Sequence, residues 1–163
     1  MQYYEVYLSF GSNVGNRQAN IETALKYMLD AKLKMRKCSS VYETAPWGNT
    51  NQSAFLNTAG IFETDLSAKK LLDEILTIEK SMGRERTEKW QPRIIDIDIL
   101  FFNNKIVNEK ELIIPHPEMH KRKFVLVPLA EIAPDFIHPV LKKSIRHLLR
   151  ECTDDSQVVI AAP

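Results

Sequence analysis

The chain has 163 residues, enough for one domain that hides roughly 70% of its unfolded surface without help from a disulfide or a metal. Hydrophobic residues at 44% and charged residues at 26% are a globular mix, which excludes disorder, a collagen-like repeat and a coiled coil. Lys and Arg number 22 against 21 Asp and Glu, so the net charge of +1 predicts neither a nucleic-acid partner nor a membrane surface.

In chain order, Tyr3 to Phe10 is rich in Tyr, Val and Leu and reads as a strand. Gly11 to Asn16 is a loop. Asn16 then caps a helix whose apolar face is Ile21, Ala24, Leu25, Met28 and Leu29. Met35 to Glu43 reads as a second strand, Thr44 to Ser53 as a polar loop, and Ala54 to Glu63 as a third strand. Ser67 caps a second helix that runs to about Met82 and stops at Gly83. Arg84 to Arg93 is a charged loop. Ile95 to Phe102 is a β-branched, aromatic strand, and Ile106-Val107 pairs back after an Asn103-Asn104 turn. Beyond the bend at Pro115-His116-Pro117, Phe124 to Ile132 and Ser144 to Glu151 read as helices. Asp154 to Pro163 is a tail able to add an edge strand. The order β-α-β-β-α-β predicts an α+β fold of the ferredoxin-like kind, an antiparallel sheet with helices packed on one face.

Cys38 and Cys152 form no C-x-x-C pair and read as thiols of a reducing compartment. No apolar run approaches the roughly 20 residues of a membrane helix, and Met1 to Ser9 lacks a signal peptide's basic start and cleavage site. The expectation is a cytoplasmic protein with no membrane partner, one domain over 1–163, and a tail over 151–163.

The sharpest chemical signal is Arg93-Ile94-Ile95-Asp96-Ile97-Asp98-Ile99. Strand side chains alternate, so Asp96 and Asp98 share a face, about 7 Å apart by strand rise. Desolvated together they would repel, and a bound cation removes that cost. Carboxylate oxygens with no thiolate or paired His nearby suit Mg²⁺ better than zinc. An amphipathic strand with one wet face is the other reading of the same pattern. Glu79 lies four residues after Ile75 on the apolar stripe of the second helix, where a carboxylate is paired, neutral or functional unless its stem reaches water at the stripe's edge.

Arg84, Arg86, Lys89 and Arg93 make the loop before the aspartates mostly basic. It reads as a phosphate clamp, with Trp90 as a water seal, or as a solvated surface loop. Phe55 and Asn57 share a strand face and would suit a flat, hydrogen-bonding heterocycle. His116 and Arg122 flank a turn within reach of phosphate. Neither a P-loop ending nor G-x-G-x-x-G spacing is present.

These residues resemble the 6-hydroxymethyl-7,8-dihydropterin pyrophosphokinases of folate biosynthesis. The matching runs include Leu8-Ser9-Phe10-Gly11-Ser12-Asn13, Tyr42-Glu43-Thr44-Ala45-Pro46-Trp47-Gly48, Phe55-Leu56-Asn57, Trp90-Gln91-Pro92-Arg93 and Pro115-His116-Pro117. Arg-x-x-Asp-x-Asp downstream of Trp-x-Pro is their most specific part.

The resemblance implies attack of the pterin hydroxymethyl oxygen on the β-phosphorus of MgATP, giving the pterin diphosphate and AMP. It implies two Mg²⁺ ions on Asp96 and Asp98, with ATP as co-substrate, and Asp98 orienting the hydroxyl proton. Arg84 and Arg93 would close on the phosphates as catalytic groups. The pterin would stack between Phe55 and Phe124 and bond to Asn57 and to backbone from Thr44, Ala45, Pro46 and Trp47. Glu79, Trp90, Ile99, His116 and Arg122 would serve the ATP side. Small-molecule substrates and a monomer are expected. Gln91, Leu76, Pro117 and Phe55 depart from residues common in the family, and none of these departures touches Asp96, Asp98, Arg84 or Arg93.

Three rival readings are weighed on the sequence: a nucleic-acid-binding module, a metal-dependent nucleotide phosphohydrolase, and an inactive interaction protein. Two aspartates on the would-be central strand count against the first, since they repel phosphate without a cation.

Overall fold

The computed structural model describes residues 2–44, 53–83 and 93–162. Asn16 and Ser67 start the first two helices as expected. The Asn16 side chain accepts the Ala19 N–H at 3.0 Å, and Ser67 Oγ accepts the Lys70 N–H at 3.2 Å. These helices are α1 (Arg17–Asp30) and α2 (Ala68–Ser81), and Gly83 follows α2 at φ +87°, a conformation suited to glycine.

The strands are β1 (Tyr4–Ser12), β2 (Lys34–Cys38), β3 (Tyr42–Thr44), β4 (Phe55–Thr64) and β5 (Asp96–Phe102). They form an antiparallel sheet in the order β5-β1-β4-β3, with β2 also on β4. This is the ferredoxin-like arrangement. The expected continuous strand from Met35 to Glu43 is two strands, broken at Ser39. There the Ser39 hydroxyl bonds the Thr58 hydroxyl and accepts the Ala59 N–H, replacing ladder bonds. β6 (Val107–Asn108) pairs with β7 (Ile113–Ile114) in a small separate hairpin and not with the preceding strand. The tail supplies β8 (Val158–Ile160), which extends the sheet beside β3.

Helices cover both faces, where one was expected. Val6, Leu8, Phe10 and Ile97 pack with α1 and α2, each fully buried apolar side chain contributing about 2 kcal/mol. Tyr7, Ala59, Ile61 and Phe101 point the other way, onto α3 (Lys123–Ile132) and α4 (Ile145–Glu151). α3 is tied to the sheet by Glu131, which accepts from the Tyr42 hydroxyl at 2.6 Å and the Ser40 N–H at 2.9 Å.

Glu79 does not reach water. It is 2% exposed on α2, and its Oε2 accepts the N–H of Ile97 at 2.8 Å. β5, expected as a central strand, is an edge strand among the described residues, paired with β1 alone, so this carboxylate meets an open backbone donor on the strand that carries both aspartates. In urea unfolding, Glu79→Leu is expected to cost about 2–3 kcal/mol, and Glu79→Gln, which keeps an acceptor, clearly less. Equal losses would show that the Ile97 bond is not the stabilising contact.

His138 is buried in the segment between α3 and α4, edge-on to Phe101, and its Nδ1 accepts the N–H groups of Val140 and Leu141 at 3.2 and 3.0 Å. Burial, reinforced by the His120 charge, pulls its pKa down to about 4. Between the ordinary histidine value, near 6.5, and about 4, the unfolded chain takes up a proton that the folded chain refuses. Stability should therefore fall as pH drops through that window and be retained above it. His138→Asn places an amide oxygen where Nδ1 accepts. It should flatten that loss in urea unfolding measured from pH 7 to 4, and an unchanged slope would overturn the assignment.

Candidate active site

Cross-strand register brings the scattered sequence signals onto one surface. Residues directly opposite one another in antiparallel strands share a face. Gly11 of β1 faces Asn57 of β4 on one side and Asp96 of β5 on the other, while Ser9 faces Asp98. Phe55, Asn57, Asp96 and Asp98 thus lie on the sheet face that α3 also covers. Gly11 makes room in the middle of this row, because a Cβ there would sit 2.8 Å from the Asn57 amide nitrogen.

Two buried polar atoms on this side of the sheet lack a hydrogen-bond partner among the described residues. They are Thr44 Oγ1 and Asn57 Oδ1, on residues 3% and 4% exposed. Leaving such atoms unsatisfied costs about 1–3 kcal/mol each, so they favour a ligand that brings hydrogen-bonding groups. Thr44 is opposite Phe55 in the β3–β4 register, which puts a ring beside the polar atoms. Phe124 is the second residue of α3, and the Arg122 guanidinium lies 5.9 Å from its ring centre.

At the other end of the row, Arg93 Nη1 is 2.9 Å from Asp96 Oδ2. The Arg93 backbone is clamped by Asn13: its N–H donates to Asn13 Oδ1 at 2.7 Å, and its carbonyl accepts the Asn13 N–H at 3.0 Å. Asn13 is 4% exposed. Sequence reasoning saw it only as a loop residue, although an Asn after Gly-Ser at a strand end is a usual source of such backbone bonds.

His116 Nδ1 accepts the Glu118 N–H at 3.1 Å, which leaves Nε2 to carry the proton of the neutral ring. Burial first, then the Arg122 charge, lowers its pKa to about 4 against opposing pulls from Asp96 and Glu118. It is therefore a neutral donor at pH 7. His116 and Asp98 line one end of a cavity of about 560 Å³ that also exposes Ile99. Its apolar walls are Leu72 and Ile75 of α2 together with Leu112 and Ile113 beside and in the β6–β7 hairpin. Sequence reasoning missed those walls, because the hairpin carries no pattern of its own. Leu76 lines the cavity too, whereas Glu79 reaches the site through the backbone of β5.

Two carboxylates and no third ligand make an incomplete metal site: the described residues hold no group of three or more His, Cys, Asp or Glu. That donor set fits Mg²⁺, which keeps waters and phosphate oxygens as its remaining ligands. Ala45, Pro46, Trp47, Arg84 and Trp90, with Gln91, lie outside the described residues.

Residues 7–134 match the family model for 7,8-dihydro-6-hydroxymethylpterin-pyrophosphokinase (HPPK). The chain is 43% identical over 148 residues to the 2-amino-4-hydroxy-6-hydroxymethyldihydropteridine pyrophosphokinase of Aquifex aeolicus, covering 91% of this chain and 92% of that one. It is 42% identical to the Bacillus subtilis protein of the same name, over 77% of this chain and 76% of the relative. The folic acid synthesis protein fol1 of Pneumocystis carinii is 42% identical across 91% of this chain, which spans 20% of that longer protein. Among solved structures, the Plasmodium falciparum HPPK-DHPS with pteroate superposes with a TM-score of 0.75 at 19% identity. That likeness speaks for the fold alone; it covers 92% of this chain and 42% of the other. A match over most of the chain, with a relative 43% identical along 92% of its length, makes this protein a member of the 7,8-dihydro-6-hydroxymethylpterin-pyrophosphokinase family.

Proposed function

We propose that the pterin and the triphosphate of a pyrophosphokinase share one sheet face, the pterin at its β3–β4 end and the triphosphate at its β5 end, while the nucleotide base reaches round the β5 edge toward α2. The reaction is that of the family: pyrophosphate passes from ATP to the hydroxymethyl group of 6-hydroxymethyl-7,8-dihydropterin, in folate biosynthesis. The pair of orphaned buried atoms, Thr44 Oγ1 and Asn57 Oδ1, carries the pterin half of this reading. A pteridine with a 2-amino group has donors for the Asn57 oxygen, and its flat ring stacks between Phe55 and Phe124. Backbone from Thr44 to Trp47 completes its edge.

The cavity against α2 takes the nucleotide, with the base between Leu72, Ile75 and Leu112 and the phosphates toward Asp98 and His116. Ile99 lines the base side. His116 donates from Nε2 to a phosphate oxygen, and Arg122 adds charge beside it. Asp96 and Asp98 would hold two Mg²⁺ ions, which would offset the charge that grows on the transferring phosphates. Arg93 pairs with Asp96 at the phosphate end of the face, and with Arg84 and Trp90 it would serve the phosphates. Asp98 orients the hydroxyl and takes its proton as the hydroxyl attacks. The hydroxyl oxygen forms a bond to the β-phosphorus as the bond from that phosphorus to the bridging α-phosphate oxygen breaks, and AMP leaves.

We read residues 1–163 as one catalytic unit, monomeric and cytoplasmic. Both cysteines are free thiols, in keeping with a reducing compartment. Among the described residues no helix is long and apolar enough to cross a membrane.

Mass spectrometry of products from ATP, Mg²⁺ and the hydroxymethyl dihydropterin tests the reaction. AMP and a pterin diphosphate are expected, whereas phosphate released without pterin would favour a phosphohydrolase. Asp96→Asn and Asp98→Asn should each lower kcat on the order of 10³-fold with the melting temperature little changed. Undiminished turnover would refute the metal assignment. Phe124→Ala should raise the pterin Kd about tenfold and leave MgATP binding alone. A change confined to the nucleotide would mean that the two pockets are reversed.

A further inference from the structure

The family match stops at residue 134, yet the chain beyond it returns to the site. Asp154 lies just past α4, and its Oδ2 accepts the N–H of Lys123 at 2.9 Å. Lys123 is the first residue of α3, and Arg122, in the N-cap position, makes no side-chain capping bond. Asp154 therefore does this work from 31 residues away. The first N–H groups of a helix have no partner within it, and a carboxylate there also meets the positive end of the helix dipole. The carboxylate is itself fixed: Oδ1 accepts the Ser156 N–H at 2.9 Å and the Ser156 hydroxyl at 2.6 Å. Phe124 is the next residue after Lys123.

Two residues beyond Ser156, the chain enters β8, where Val158 stands opposite Thr44. Ala161 donates its N–H to the Val41 carbonyl at 2.9 Å. Antiparallel alternation then makes Val159 and Glu43 the next hydrogen-bonded pair. One short segment, 154–161, is thus bonded at one end to the residue before Phe124 and at the other to the strand that finishes in Thr44.

We propose that segment 154–161 is a brace for the pterin pocket. Asp154 is a positioning residue for Phe124, β8 positions Thr44, and together they set the gap between the stacking ring and the buried polar edge. The inference rests on the reading of Phe124 and Thr44 as pterin contacts. No residue of the segment lines the cavity assigned to the nucleotide, so the brace acts on one substrate and spares the other.

The test compares Asp154→Ala, Asp154→Asn and Val159→Pro in the full chain. The readouts are kcat, KM for the dihydropterin and for MgATP, the melting temperature, and the Kd of 6-hydroxymethylpterin from its fluorescence. Asp154→Ala should raise pterin KM and Kd about fivefold, the scale of a lost helix cap, with MgATP KM within about twofold. Asp154→Asn keeps an oxygen for the Lys123 N–H and should recover most of the loss. Val159→Pro removes a β8 donor and should weaken pterin binding in the same selective way. Pterin and MgATP constants that move together, or a lower melting temperature with both constants unchanged, would overturn the brace. Should Asp154→Ala not fold, Ser156→Ala removes only the hydroxyl that holds Oδ1, and a selective pterin shift of about twofold is then expected; no shift overturns the brace. Phe124→Ala separates the two readings. If it leaves pterin binding intact, the pocket assignment fails. If it weakens binding while Asp154→Ala does not, the brace alone fails.

Discussion

Two acids on one face of a terminal strand are the constraint around which the rest is arranged. Asp96 and Asp98 stand on β5 with Ile97 between them, and β5 has a neighbouring strand on one side only. Such a strand is free to fray, and fraying would spoil a site that depends on the spacing of two carboxylates. Glu79 counters this by accepting the Ile97 N–H, and the double bond between Asn13 and Arg93 holds the chain just before the strand begins. On the other side, β1 keeps Gly11 opposite Asp96 and Ser9 opposite Asp98. Each anchor holds the backbone of the strand or of the chain leading into it.

The same register links the two halves of the chemistry. Asn57, Gly11 and Asp96 stand in one row across three strands, so whatever rests on Asn57 lies a fixed number of strand spacings from the two aspartates. A rigid sheet between the two substrates is an economical means of bringing a hydroxyl and a phosphorus together, since the geometry is set before either arrives.

Much of this was legible in the sequence because it is local. Caps at Asn16 and Ser67, the stop at Gly83 and the period-two placement of Asp96 with Asp98 all follow from short-range rules, and all hold in the structure. What the periodicity of separate strands cannot reveal is whether their polar faces coincide; that required the register. The position of α3 and α4 on the far face was equally hidden, since an apolar helix pattern does not say which side of a sheet it covers. The break at Ser39 depends on Thr58, and the cavity walls at Leu112 and Ile113 depend on a hairpin of two-residue strands too short to carry a pattern. Asp154 was visible only as an acidic residue in a tail, because its partner lies far back along the chain.

That last contact bears on how the protein is made. Asp154 is C-terminal to every other residue of the site, so on the ribosome the sheet, both aspartates and the nucleotide cavity emerge before it. Only when the following strand has left the exit tunnel can it dock beside β3. On the proposed reading, a nascent chain halted before that point would carry the cavity assigned to ATP but would lack the final fastening of the place proposed for its acceptor.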